Sequence, residues 1–87
     1  MKKFFLALVN ETKKQIIVFP SVATIESGNE VYTDEAEANM RFGHLGAEGE
    51  MRALGKAPGI PGGDKYYVYM GDVPLTEAMI QQEVINE

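Results

Sequence analysis

His44 is the only histidine of the chain and sits between glycines in FGHLG. Without cysteine, a nucleophilic triad would have to join it to Ser21 or Ser27 and one of 13 acids. Such triads set the serine on a tight strand-to-helix turn of the form G-x-S-x-G, and the sequence has none. The segment GEMRALGKA has the outline of a phosphate loop. Five residues separate Gly49 from Gly55, however, and Ala57 stands where a metal-binding hydroxyl is required. Asp34 and Glu37 can share a helix face, where the positive end of the helix dipole accounts for acids without any ion. There is no Asp/Asn-rich calcium loop, and a His–carboxylate site has only His44 to draw on. The expectation is a non-enzyme with no catalytic residue, no metal site and no cofactor.

Two groups of residues remain as binding candidates. Arg41, His44, Arg52, Lys56 and Lys65 fall in a glycine-rich middle region. There, backbone N–H groups and cations could hold a small anionic ligand such as a nucleotide. The competing reading is a surface loop whose bases balance nearby acids. The second group is Tyr67 and Tyr69 on one face of a strand, with Ile80 and Val84 on one side of a closing helix. These types suit an interface with a partner or with a second copy of the chain. They equally suit burial under a neighbouring element.

The elements that must position these residues follow from the hydrophobic pattern. Phe4 to Val9 is apolar throughout, as in a central strand covered on both faces. QIIVF from Gln15 pairs with it as a hairpin across NETKK, and Pro20 ends that strand. Ser27-Gly28-Asn29 predicts a tight turn, with Ile25 and Val31 among the inward residues of a second hairpin. Thr33 is the expected N-cap of a helix over DEAEANMRF. Ala36 and Met40 form its buried stripe, and Glu37 pairs with Arg41 on its exposed side. Gly43, Gly46 and Gly49 should break that helix before a short piece, GEMRALG. KAPGIPGGDK, residues 56–65, reads as a long Gly/Pro-rich spacer. KYYVYM is a strand, and Thr76 caps the closing helix, whose sheet-facing residues are read as Leu75, Ala78, Met79 and Ile85. The fold class is therefore α+β. A single domain over residues 1–87 holds a mainly antiparallel sheet of three to five strands, one central helix and one C-terminal helix.

Composition narrows the function classes. A net charge of −5 opposes broad, phosphate-driven nucleic-acid binding, which needs clustered Lys and Arg. It suits a protein partner with a basic surface. MKKFFLALV imitates a secretory signal, but its six-residue apolar run is short for one and far short of a membrane span. No membrane association and a cytoplasmic location are expected. Three functions follow in order. The first is a small acidic interaction protein that regulates or inhibits another macromolecule, as phage-encoded accessory proteins of this size do. The second is a binder of a small anion, and the third an assembly subunit, homodimeric in the simplest case.

Overall fold

The computed structural model describes residues 2–19, 24–54 and 63–85, with side chains described as far as Gln81. Its elements run β1 (Phe4–Asn10), β2 (Gln15–Ile17), β3 (Thr24–Glu26), β4 (Asn29–Tyr32), α1 (Glu35–Leu54), β5 (Tyr66–Gly71) and α2 (Glu77–Ile85). All strand pairs are antiparallel in one five-stranded sheet, so the class is α+β. Most of the expected spacer, residues 56–62, lies outside the described residues.

β1 organises everything else. β5 pairs with it from Phe5 to Asn10 along one edge. The opposite edge is shared end to end, β4 taking Phe4 to Leu6 and β2 taking Leu8 to Asn10. Because side chains alternate across a strand, β1 feeds two cores. Leu6 and Leu8 point to the α1 side and pack with Ala38, Leu45, Tyr66 and Val68. Ala7 and Val9 point to the other side and pack with Leu75, Ile80, Tyr67 and Tyr69. The uninterrupted apolar run thus reflects a strand covered on both faces.

The second hairpin turns through Ser27 (φ 56°) and Gly28 (φ 84°), the two left-handed residues of a type I′ turn. Its register sets Ile25 opposite Glu30 and Thr24 opposite Val31. Ile25 and Val31 therefore lie on opposite faces, and the inward residue beside Ile25 is a glutamate. α1 begins at Glu35, one residue beyond Asp34, rather than directly after Thr33.

α1 runs for 20 residues straight through its three glycines, against the expected break. Packing outweighs propensity here: a Cβ at Gly49 would meet Leu8 Cδ1 at 3.1 Å and Tyr66 Cβ at 3.2 Å. Glycine is what lets the helix sit close on β1 and β5. A Cβ at Gly43 would meet nothing within 4 Å. Gly43→Ala should therefore stabilise the fold by roughly 0.5–1 kcal/mol, the intrinsic helix gain. Gly49→Ala should forfeit that gain to overpacking, leaving it at least about 1 kcal/mol less stable than Gly43→Ala in urea unfolding.

Candidate functional site

The four described residues of the five predicted cations do not converge on one cradle. Arg41 leans from α1 onto the sheet, its Nε donating to Glu30 Oε1 at 2.8 Å and its Nη2 to Glu30 Oε2 at 3.0 Å. The expected Glu37–Arg41 pair is replaced by this one, because Arg41 faces the strand layer and Glu37 faces solvent. Arg52 donates to Glu48 Oε2 at 2.7 Å, one turn back on the same helix. Both guanidinium groups also lie over the Phe19 ring, 5.3 and 5.8 Å from its centroid. The two arginines are brought together, but each already holds a carboxylate. His44 is exposed on α1. Lys65 lies beyond the far end of the helix, at the foot of β5. Its backbone N–H donates to Thr12 Oγ1 and its carbonyl accepts from Glu11 N–H. Lys56 lies outside the described residues.

The Glu30 carboxylate accepts a third hydrogen bond, since Tyr32 O–H donates to Oε1 at 2.7 Å. Burial, then the hydrogen bond to Glu30 and its charge, push the Tyr32 phenol up to about 12. The hydrogen bond that Arg41 donates to Glu30 likewise raises its guanidinium above its already high value. A raised tyrosine pKa means the folded state keeps a proton that the unfolded chain has lost. The stabilisation is whole below pH 10 and disappears as pH climbs toward 12. Tyr32→Phe should flatten that alkaline decline in a thermal-melt series from pH 9 to about 12.

The predicted interface residues divide in the same way. Tyr67 and Tyr69 are half-buried against the Ala7–Val9 core, and Tyr69 O–H donates to Val73 O at 2.6 Å. Ile80 is 3% exposed and belongs to that core. It is unavailable to a partner while α2 stays docked, and the expected faces of the closing helix hold for Leu75, buried in the same core, and fail for Ala78, Met79 and Ile80. Leu75 precedes the helix, Ala78 and Met79 face solvent, and Ile80 supplies the sheet contact. The side chain of Val84 lies outside those described.

Two apolar features were missed in the sequence. One is a cleft of about 290 Å³ between α1 and β5, lined by Leu8, Phe42, Gly46, Gly49, Tyr66 and Val68, with Glu50 as its one charge. Its lining gives an anion no counter-charge. The other is the outer face of α1. Met40, Met51 and Leu54 are 65%, 68% and 80% exposed there. Ala36, Gly43 and Ala47 complete the same stripe, all exposed and spaced at i, i+3 and i+4. The helix is apolar on two sides: Ala38, Leu45 and Gly49 face the sheet. Met40 stood in the expected buried stripe; its exposure means that α1 is rotated relative to the sequence expectation.

Charge is distributed unevenly around that outer stripe. Glu37 borders one side and Glu50 the other, both exposed and neither held by a cation among the described residues. The cations of the helix, Arg41 and Arg52, are the two already bound to carboxylates. Among the described residues no cluster of three or more His, Asp or Glu side chains could hold a metal ion, and no helix is long and apolar enough to cross a membrane.

No protein-family model, curated protein or solved structure matches the chain.

Proposed function

We propose that this chain is a non-catalytic interaction protein that binds, and thereby regulates or inhibits, another protein. The observation that supports this reading is the outer face of α1. It is a continuous apolar stripe on a rigid helix, set away from both cores of the fold. Isolated exposed apolar residues are ordinary on any surface, but three large ones aligned over about 20 Å of one helix form a contact seam. The rigidity of α1 matters as well. Its inner face is locked by Leu45 and Gly49, so little backbone entropy remains to be lost on docking. A cytoplasmic site of action belongs to the same proposal.

The anionic-ligand reading draws less support from the geometry. Arg41 and Arg52 are occupied, and the cleft on the β5 side of α1 is lined by apolar groups and an acid. A photo-crosslinking residue in place of Met51 should therefore give a discrete protein adduct in the cells that make this chain. The same residue in place of the exposed Glu26, on the far hairpin, should not. Equal labelling from both positions would defeat the reading.

A further inference from the structure

We infer that the element docking on α1 is a basic amphipathic helix of the partner, seated on the Met40–Met51–Leu54 stripe with its cations against Glu37 and Glu50. This rests on the reading of the chain as an interaction protein and names the chemistry of what it meets. Three features of α1 converge on that occupant.

The first is shape. The stripe follows helical spacing along a 20-residue element. Its exposed apolar positions recur at the intervals that one helix presents to another. The second is depth. Between Met40 and Met51 the stripe is made of Gly43 and Ala47, and around Gly43 there is open space where a side chain would be. Two bulky side chains therefore stand either side of a shallow saddle, which admits a partner's leucine or methionine close to the helix backbone. The third is charge. Both rims carry an acid that is free of any ion pair among the described residues, and the chain as a whole carries −5.

Charge also decides between occupants. A second copy of this chain would set acidic rims against acidic rims whichever way the two helices ran. An anionic lipid surface would be repelled by the same rims. A helix with Lys or Arg flanking its apolar seam meets opposite charge on both sides. The arginines of α1 itself do not interfere, because Glu30 and Glu48 hold them.

The test is a display library of helical peptides with a fixed Leu/Met seam and randomised flanking positions, selected on the full chain. Enriched peptides should carry Lys or Arg at the flanks. The best of them, synthesised, should bind at least tenfold more weakly to Met51→Glu and to the Glu37→Lys, Glu50→Lys double variant. All three replaced residues are exposed, so these variants should melt within a few degrees of the parent. Binding should also weaken steeply between about 50 and 300 mM salt. Neutral or acidic flanks among the enriched peptides, or binding indifferent to both variants, would overturn the inference. So would a solution mass of two chains that Met51→Glu returns to one. Crosslinking from position 51 to a partner that contacts α1 through a strand or loop would leave the interaction reading standing and remove this one.

Discussion

Arg41→Met is expected to lower the unfolding free energy by about 3 kcal/mol, because it leaves Glu30 charged and buried with only a phenol for company. The Glu30 side chain is 4% exposed and sits opposite Leu6 on the central strand. Among the described residues, Arg41 supplies two of its three hydrogen bonds and all of its counter-charge. For a domain of this size the loss corresponds to a fall in Tm of roughly 12–24 °C. Arg41→Lys should fall between, since an ammonium cannot make the paired contact to both oxygens. The informative variant is the double one. Glu30→Gln together with Arg41→Met removes the stranded charge and should recover at least half of the loss. A double variant as unstable as Arg41→Met alone would show that the damage comes from lost packing on Phe19 instead of from the orphaned carboxylate.

That pair also shows where sequence reasoning reached its limit. Arg41 stands four residues after Glu37, and local spacing alone favours their pairing. Nothing local indicates that Glu30, on a strand, is buried and faces the helix. The reason lies in register: with Ser27 and Gly28 as the turn, Glu30 must pair with Ile25 and with Leu6, on the α1 side. The turn itself was legible, because Ser-Gly before Asn suits positive φ. So was the double-sided burial of β1, since no polar residue interrupts Phe4 to Val9, and so was the alternation of Tyr66 and Val68 against Tyr67 and Tyr69.

Other features depended on contacts that propensity does not register. Three glycines argue against a helix until Leu8 and Tyr66 require one of them to have no side chain. The rotation of α1 follows from the same contact. With Gly49 against the sheet, Ala38 and Leu45 turn inward and Met40, Met51 and Leu54 turn out. The candidate docking face was therefore invisible for a physical reason. A helix with apolar residues on two sides gives one blurred amphipathic signal, and only the packing partner tells which side is spare.

Asn29→Ala should release α2 from the sheet, and its effect should be uneven across the molecule. Asn29 is fully buried, and both its amide N–H groups and its carbonyl oxygen are engaged. Nδ2 donates to Leu75 O at 2.8 Å and to Ser27 O at 3.1 Å, while Oδ1 accepts from Leu75 N–H at 3.0 Å. One side chain thus imitates a β-bridge to the segment just before α2. Truncation leaves the N–H and C=O of Leu75 without partners in a buried site, at about 1–3 kcal/mol for each group. Among the described side chains, two other ties hold α2. These are Ile80 in the core and the Glu77 carboxylate, which accepts from Ile16 N–H at 3.1 Å. A penalty near 3 kcal/mol should raise the population of the undocked form by roughly a hundredfold. Amides of α2 should then lose about a hundredfold in hydrogen-exchange protection, whereas those of β1 and α1 lose less. Ile80→Ala, which removes the other main tie, should reproduce the pattern. Equal losses in α2 and β1 would instead show that both cores open as one unit, with Asn29 contributing to a single cooperative fold.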